Sequence, residues 1–432
     1  MTADERDTIY ALSSGSPPAG IAVVRISGPS ADRALERVAG TLPEPRVAKL
    51  ARLTGSSGEL LDRALVLRFT APASATGDDM AELHLHGGRA VVSAVLEALS
   101  QVEGLREAEP GEFTRRAFEN GRIDLTEAEG LADLLAAETQ SQRRAALSLA
   151  GGAVSRMIGE WQARLLALAA QLEAMLDFSD EGEVGEGVPE GWRADLLALA
   201  AGMDALLAQP PLERLREGVR VVIAGPPNAG KSSLLNRLAG RRAAITSAVA
   251  GTTRDLVEAP TAIGGAPFML VDTAGLRDSE DEIEAVGIGL ARQSIAAADL
   301  VLWLGEPEHC PVERARAIIV ESKGDIRSEP IHPVADIRVS AETGDGVDRL
   351  VDLLIARSRA LLPQEGDAAI NARHRQAVAA AVVALREAAE TDDFLIAAEF
   401  LRQARLALDR VTGRAGVDDM LDALFGRFCI GK

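Results

Sequence analysis

The sequence predicts a multidomain protein of the α/β plus α class. Its 432 residues suggest about three domains, at roughly 150 residues for each. An apolar run at 219–224 leads directly into a glycine-rich loop, which is typical of a nucleotide-binding α/β domain. Ala- and Leu-rich helical patterning lies on both sides of that domain. We therefore expect an N-terminal α/β domain, a helical domain, and a second α/β domain inserted into the helical one.

Composition and charge exclude several classes of protein. Apolar residues make up 47% and charged residues 26%, which argues against a disordered or fibrous chain. The net charge of −19 opposes nonspecific binding to nucleic acid, so any RNA contact must be local or shared with a partner. Cys310 and Cys429 provide no disulfide framework, and the apolar stretches are too short for a membrane span. We expect a cytoplasmic protein.

Changes in periodicity define the predicted domains. Mixed patterning becomes helical near residue 119, strand patterning resumes near 219, and helical patterning returns after Pro363. A conformational change in an inserted domain would be transmitted to both flanking segments. The N-terminal domain, the first helical part, the inserted domain and the second helical part are predicted at 1–118, 119–217, 218–362 and 363–432.

Local patterns predict individual elements in this order. Strands are expected within the apolar runs 21–26 and 64–69, which Pro and Gly residues bound. Thr126 and Glu129 have the spacing of a capping box at the start of a helix. A later helix is expected at about 192–207.

A phosphate-binding loop follows the predicted strand at 219–224. Residues 225–232 read Gly-Pro-Pro-Asn-Ala-Gly-Lys-Ser, a complete G-x-x-x-x-G-K-S motif. Small residues let backbone N–H groups surround the phosphates, and the helix N-terminus adds positive potential. Lys231 would reach the β and γ oxygens, and the Ser232 hydroxyl would ligate Mg²⁺.

Two further segments complete the predicted phosphate site. The strand at 268–271 leads to Asp272-Thr-Ala-Gly275, which places a carboxylate near the Mg²⁺ shell and leaves Gly275 free to move toward the γ-phosphate. The segment 250–255 lies between the two motifs, where a switch would supply a second Mg²⁺ hydroxyl from Thr253.

The base pocket favours guanine. Residues 322–325 read Ser-Lys-Gly-Asp and resemble the N-K-x-D signature, in which the Asp accepts two hydrogen bonds from guanine. Ser322 departs from that signature because its side chain is shorter than Asn. Residues 339–341 resemble the last guanine-contact motif, and 305–316 is short for the helix expected there. These features predict a Ras-like P-loop G domain.

The candidate GTP-binding residues are Asn228, Ala229, Gly230, Lys231, Ser232, Ser233, Ser247, Ala248, Val249, Ala250, Gly251, Thr252, Thr253, Asp272, Thr273, Ala274, Gly275, Ser322, Lys323, Asp325, Ser340 and Ala341. Leu276 occupies the place of the water-orienting Gln of a Ras-like enzyme, so hydrolysis needs another group. The acidic stretch 278–284 contains candidates, although a charge run is usually only a solvated face.

Four segments together resemble the tRNA uridine-5-carboxymethylaminomethyl modification GTPase (MnmE or TrmE) family. They are Asn228 in the phosphate loop, Gly-Thr-Thr-Arg-Asp at 251–255, Asp-Thr-Ala-Gly-Leu at 272–276 and Phe-Cys-Ile-Gly-Lys at 428–432. The resemblance covers nearly the whole chain, including Pro-Gly-Glu-Phe-Thr at 110–114. It implies that the N-terminal domain binds folate and forms dimers.

The resemblance also implies specific site residues. The folate contacts would be Arg25, Glu82, Arg122 and Lys432. The K⁺ ligands would be Asn228, Ser247, Val249 and Thr252. The catalytic residues would be Glu284, which orients the attacking water, and Cys429, which the family assigns to the modification site. Considered by itself, a lone Cys is as often a small core residue.

The implied activity is that of a K⁺-dependent GTPase that adds a carboxymethylaminomethyl or aminomethyl group to carbon 5 of the wobble uridine in certain tRNAs. The one-carbon unit would come from 5,10-methylenetetrahydrofolate, with 5-formyltetrahydrofolate as an analogue. The expected partners are a second copy, an FAD-containing MnmG (GidA)-like protein in a heterotetramer or larger complex, and tRNA. The alternative is a GTP-switched binding or ribosome-assembly factor, which would need neither the Arg25 and Glu82 segment nor the Cys429 tail.

Overall fold

The computed structural model describes residues 7–178, 190–240, 257–273, 283–364, 368–415, 418–426 and 428–432. The chain divides into two compact units. The first unit contains Met1–Ala132 together with Thr412–Lys432, and the second contains Asp133–Val411.

The first unit contains a six-stranded sheet. Its strands are β1 (Thr8–Leu12), β2 (Ile21–Ser27), β3 (Lys49–Thr54), β4 (Leu60–Phe69), β5 (Met80–His86) and β6 (Leu105–Glu107). The order across the sheet is β3-β4-β5-β2-β1-β6, and every pair is antiparallel except β1 with β6. Strands were predicted at 21–26 and 64–69, and β2 and β4 confirm both.

Helices cover the buried face of this sheet. They are α1 (Ala31–Ala39) and α2 (Arg89–Ser100), and α3 (Glu112–Glu119) follows β6. Alternate residues of β2, among them Val24 and Ile26, are fully buried in one apolar cluster with residues of both covering helices. The alternation of a half-buried strand therefore positions the remaining residues of β2, including Arg25, on the opposite face.

The start of the next helix, α4 (Leu125–Ala136), corrects one prediction. The predicted capping box of Thr126 and Glu129 is wrong, because α4 already includes both residues. Asp124 caps the helix instead: its Oδ1 accepts a hydrogen bond from Glu127 N at 2.9 Å, and Glu127 Oε2 accepts one from Asp124 N at 2.8 Å. Thr126 donates its hydroxyl to Asp124 at 2.7 Å, which adds to the Asp124 cap.

Further helices form the predicted helical domain. They are α5 (Gln140–Ala150), α6 (Ala153–Phe178), α7 (Glu190–Leu207) and α8 (Glu213–Glu217), and, later in the chain, α12 (Ala372–Glu390) and α13 (Phe394–Thr412). The last helix, α14 (Asp418–Phe425), belongs to the first unit instead. The helix predicted at 192–207 is confirmed by α7, which packs along α12. Among the described helices, none combines the length and the apolar character needed to cross a membrane.

The inserted domain contains a second six-stranded sheet. Its strands are β7 (Val219–Ala224), β8 (Val257–Ile263), β9 (Ala266–Asp272), β10 (Leu300–Trp303), β11 (Ala317–Glu321) and β12 (Ile337–Arg338), and its helices are α9 (Lys231–Ala239), α10 (Ile283–Ala297) and α11 (Val347–Ser358). The order is β12-β11-β10-β7-β9-β8, with only β8 antiparallel to its neighbour. The apolar runs predicted as strands at 219–224 and 268–271 are confirmed. Within the fully described segment 305–316, the only helical element is a short 3₁₀ turn at Pro307–His309, so no long helix lies there.

The entrance and exit of the inserted domain lie side by side. Leu212 N donates to Ile370 O at 3.1 Å, and Ala372 N donates to Glu213 Oε1 at 2.6 Å. The architecture is thus an N-terminal α/β domain and a helical domain that contains an inserted P-loop α/β domain, as predicted.

Candidate functional site

The phosphate loop connects the central strand β7 to α9. In a mostly parallel sheet, ligands bind beyond the carboxyl ends of the strands where the strand order reverses, and β7 lies between β10 and β9 at such a point. A Cβ on Gly225, whose φ is +152°, would lie 3.0 Å from the backbone of Leu304, so the loop approaches β10 closely. Asn228 has a φ of +60°, which turns the loop toward the start of α9.

Lys231 is held inside this loop. Its side chain is 7% exposed, and Nζ donates to Gly225 O at 3.2 Å and to Pro226 O at 2.9 Å. Ala229 and Gly230 are half-buried beside it, whereas Ser232 and Ser233 are exposed. The ammonium group therefore lies within the curve of the loop.

A hydroxyl and a carboxylate converge at the predicted Mg²⁺ site. Ser232 Oγ donates to Asp272 Oδ2 at 2.5 Å, and Asp272 is 3% exposed at the end of β9. Thr273, the next residue, is buried and donates its hydroxyl to Ile223 O at 3.0 Å, which fixes the strand end beside β7. Mg²⁺ is usually held by one or two protein oxygens together with phosphates and waters, so this donor set fits that ion.

Several predicted residues lie outside the described parts of the chain. These are Ser247, Ala248, Val249, Ala250, Gly251, Thr252, Thr253, Ala274 and Gly275. The backbone of Glu284 lies in the first turn of α10, but its side chain is also outside the description.

A cavity of about 700 Å³ lies where the base pocket was predicted. Asn228 and Ala229 line one side, and Ser322 and Lys323 line another. Lys323 has a φ of +59°, and Gly324 N donates to Val339 O at 2.9 Å, so a tight turn follows β11. The structure thus brings the phosphate loop and the first two residues of the predicted base-reading motif, Ser322 and Lys323, to one cavity, whereas Asp325 is not among the residues that line it.

Asp325, Ser340 and Ala341 occupy the neighbouring turns. Asp325 is exposed in the turn after Lys323. Ser340 is buried, and its Oγ accepts a hydrogen bond from Thr343 N at 3.1 Å. Ala341 is half-buried beside it.

A second polar cluster lies on the sheet of the first unit. Arg25 on β2 is the register partner of Glu82 on β5, and its Nε and guanidinium N donate to Glu82 Oε1 at 3.1 and 2.9 Å. The two side chains are 24% and 16% exposed. His84 Nε2 lies 3.3 Å from Glu82 Oε2, and the Arg25 guanidinium lies 5.9 Å from the ring centre of Phe113. The structure thus brings Arg25 and Glu82 together in one ion pair.

The tail at 428–432 docks onto the same unit. Ile430 forms an isolated β-bridge with Pro110. A Cβ on Gly431 would lie 2.3 Å from Leu12 O, so this glycine is required for the close approach of the tail to β1. Since Leu12 pairs with Val24, the tail lies one strand away from the Arg25 segment.

The remaining predicted residues of this unit occupy its surface. Cys429 is exposed, and its carbonyl accepts a hydrogen bond from Lys432 N at 3.2 Å. Arg122 is exposed after α3, with its N–H donated to Ala117 O at 2.8 Å. The sequence did not predict the contact of Phe113 with the Arg25 guanidinium. The segment 110–114, which is part of the family resemblance, could have pointed to it.

Comparisons with known proteins identify the family. The family model described as the MnmE helical domain matches residues 125–429, and the one described as the GTP-binding protein TrmE N-terminus matches residues 8–122. A Rhizorhabdus wittichii protein is 58% identical, covering 100% of this chain and 98% of the relative. An Erythrobacter litoralis protein is 53% identical, covering 99% of this chain and 100% of the relative. Both relatives are named tRNA modification GTPase MnmE.

Solved structures give a weaker likeness. The G domain of the T. maritima FeoB iron transporter is 23% identical, with a TM-score of 0.25, and it covers 32% of this chain and 98% of that one. The family models and the full-length relatives decide the identification, and by both measures this chain belongs to the MnmE family of tRNA modification GTPases.

Proposed function

We propose that this chain hydrolyses GTP and that its nucleotide cycle serves the modification of tRNA. The observation that carries the proposal is the contact of the Ser232 hydroxyl with the Asp272 carboxylate beside the buried Lys231. The naming of the full-length relatives as tRNA modification GTPases supports it.

The residues of the phosphate site have complementary roles. Lys231 Nζ exchanges the carbonyls of Gly225 and Pro226 for β and γ oxygens of the nucleotide. Ser232 and Thr253 supply hydroxyl ligands for Mg²⁺, while Asp272 holds its water shell. Bound Mg²⁺ supplies charge neutralisation at the phosphates.

Hydrolysis depends on K⁺ and on a carboxylate that orients water. We assign Asn228, Ser247, Val249 and Thr252 as K⁺ ligands. Asn228 lies in the turn of the phosphate loop, where a cation can neutralise transition-state charge in place of an Arg finger. Glu284 orients the attacking water from the first turn of α10.

The first unit carries the folate chemistry. Arg25 and Glu82 contact the folate ring, assisted by Arg122 and by Lys432 of the docked tail. The exposed Cys429 lies two residues from Gly431, which contacts β1, and its thiol acts at the modification step. The product is a carboxymethylaminomethyl or aminomethyl group on carbon 5 of the wobble uridine, with 5,10-methylenetetrahydrofolate as the one-carbon donor.

Charge and family membership support the partners that we propose. With a net charge of −19, the chain needs a partner to grip tRNA, and an FAD-containing MnmG (GidA)-like protein supplies that surface in a heterotetramer or larger complex. The chain itself acts as a cytoplasmic homodimer. We propose that the functional domains are the N-terminal domain, the two helical parts and the G domain, at 1–118, 119–217 with 363–432, and 218–362.

A nucleotide assay tests the GTPase proposal. We expect kcat/KM for GTP to exceed that for ATP, and K⁺ to support hydrolysis better than Na⁺. Asn228→Ala should remove the difference between the two cations. Equal kcat/KM for ATP and GTP would contradict the base-reading assignment.

Two further measurements test the folate and tRNA parts. Titration calorimetry of the full-length protein with 5-formyltetrahydrofolate should detect binding. Nucleoside mass spectrometry of tRNA from cells that lack the gene should show loss of the modified wobble uridine. GTP hydrolysis with neither result would favour the GTP-switched assembly factor.

A further inference from the structure

The segment 322–336 joins β11 to β12 and contains no helix or strand, although every residue of it is described. Loops longer than about 12–15 residues without secondary structure are uncommon in compact domains and are usually functional. This loop carries Ser322, Lys323 and Asp325, and its residues form much of the lining of the 700 Å³ cavity. Its conformation therefore decides where the base-reading groups lie.

An ion pair at the base of the loop holds both of its ends. Glu321 ends β11 and Arg338 ends β12, and the two are register partners in the parallel sheet. Arg338 Nε donates to Glu321 Oε2 at 2.7 Å, and the second guanidinium N lies at the same distance from that oxygen. The side chains are 23% exposed for Arg338 and 13% for Glu321. Because the pair is partly shielded from water, it is worth more than an ordinary surface ion pair.

The same two side chains also hold the middle of the loop. Glu321 Oε1 accepts a hydrogen bond from His332 N at 2.6 Å. Arg338 Nη1 donates to Glu329 O at 2.7 Å. Two side chains thus fix two interior points of a loop that has no regular backbone ladder of its own.

The pair also bears directly on the base-reading turn. A Cβ placed on Gly324 would lie 3.0 Å from Arg338 Cγ, so the arginine stem packs against the turn that presents Lys323 and Asp325. Burial raises the pKa of the Glu321 carboxyl, but hydrogen bonds from His332 N and Arg338 outweigh it and hold that pKa below its ordinary value. The carboxylate is therefore charged at neutral pH and keeps its partners.

We propose that Glu321 and Arg338 are positioning residues that hold the loop 322–336 in place and thereby set the selectivity of this cavity for guanine. The proposal rests on the proposed GTPase activity and identifies the ion pair that makes the nucleotide site selective for guanine. Asp325 is exposed, so the direction of its carboxylate depends on the backbone of the turn rather than on close packing. Loosening the turn would weaken discrimination at the base and leave the phosphate groups untouched.

The test compares GTP with ITP, which lacks the 2-amino group that Asp325 would read. In Arg338→Met and Glu321→Gln, we expect the ratio of kcat/KM for GTP to that for ITP to fall at least about fivefold, since hydrogen bonds to charged groups are lost. The kcat at saturating GTP should stay within about twofold, because Lys231, Ser232 and Asp272 are unchanged. Arg338→Lys, which keeps the charge but loses the planar fork, should give an intermediate ratio and serves if the Met variant does not fold.

The matched control is Arg386→Met, which removes an ion pair with Asp204 between helices of the same unit. It should leave the GTP to ITP ratio unchanged. If the wild-type protein prefers GTP to ITP and the Glu321 and Arg338 variants show the same preference, this inference alone is wrong. A wild-type protein that does not distinguish GTP from ITP would overturn both the inference and the base-reading assignment.

Discussion

Lys231 is the residue of the phosphate loop that we expect to contact the β and γ oxygens of GTP. Its ammonium group donates to two loop carbonyls, and the residue as a whole is 7% exposed. Lys231→Ala should lower GTP turnover by about 100- to 1,000-fold, the usual loss when one transition-state donor is removed. Steady-state phosphate release measures this. Lys49→Ala is the control, since Lys49 is exposed and donates to Thr41 far along the chain from the loop, and it should retain full turnover.

Glu284 should matter for the chemical step and much less for nucleotide binding. Glu284→Ala should lower kcat by about 100-fold or more with little change in GTP affinity, because orienting water contributes mainly in the transition state. Single-turnover kinetics and equilibrium binding separate the two quantities. Glu282→Ala is the comparison, and a larger effect there would move the assignment to Glu282.

Cys429 should be required for tRNA modification but not for GTP hydrolysis. Its side chain is exposed, so Cys429→Ser leaves no cavity and should keep the thermal midpoint. The GTPase rate, the thermal midpoint and the modified-uridine content are measured together. If modification remains intact in this variant, Cys429 has no part in the mechanism; if both activities and the midpoint fall, its role is structural.

At the scale of residues, motifs in sequence order could be predicted and contacts across strands could not. The positions of Lys231, Ser232 and Asp272 follow from spacing, because each motif fixes its own strand, loop and helix. The pairing of Glu321 with Arg338 depends on the register of β11 with β12, which the sequence does not encode locally. Long-range contacts of this kind need the structure.

At the scale of elements, the N-terminus of α5 connects the helical domain to the inserted sheet. Thr139 and Gln142 form a capping box, and Gln142 Nε2 also donates to Leu215 O at 2.8 Å in α8. Ser141 donates both its N–H and its hydroxyl to Gly265 O, at 3.2 and 3.0 Å, in the turn between β8 and β9. The far end of β9 carries Asp272, so this hairpin joins the proposed Mg²⁺ site to a helix of the other domain.

Thr139→Ala should therefore destabilise the second unit. Loss of an N-cap costs about 1 kcal/mol of unfolding free energy. Urea unfolding monitored by tryptophan fluorescence measures it, because Trp161, Trp192 and Trp303 all lie in this unit. Ser148→Ala, at an exposed position of the same helix, should change the free energy by less than about 0.5 kcal/mol. Equal effects of the two changes would mean that the capping box contributes nothing.

Element boundaries were less predictable than the elements themselves. Asp124 with Glu127 and Thr126 with Glu129 both have capping-box spacing, and only the first pair caps α4. The choice depends on burial, since Thr126 and Glu129 are both buried inside the helix. Local spacing cannot distinguish the two pairs.

At the scale of the whole molecule, residues far apart in sequence complete the first unit. Phe425 of α14 is 2% exposed, with its ring centre 6.3 Å from that of Phe118 and 6.2 Å from that of Phe428. Leu125 and Ala128 of α4 belong to the same apolar cluster. The helical pattern after Pro363 was predictable, but its division between two compact units was not, because periodicity does not reveal packing partners.

Phe425→Ala should lower the unfolding free energy of the first unit by about 3–5 kcal/mol, the usual cost of truncating a buried Phe. Hydrogen exchange of the amides in β1 and β2 reports on this unit separately. Ile430→Ala is the control, because Ile430 is 56% exposed and its contribution to the bridge with Pro110 is through the backbone. Unchanged protection in Phe425→Ala would show that the aromatic cluster does not stabilise the sheet.

The first unit is assembled from two segments that lie far apart in the sequence, and this affects its folding during biosynthesis. The whole of residues 133–411 must leave the ribosome between the two segments that form this unit. At roughly 5–20 residues per second, that interval lasts on the order of 14 to 56 seconds. During it, Phe118 and Leu125 of the nascent chain lack the aromatic residues that cover them in the finished protein. Until that cover arrives, an emerging chain presents an apolar patch that chaperones can bind, and a prematurely terminated chain keeps the patch permanently exposed as a mark for proteolysis.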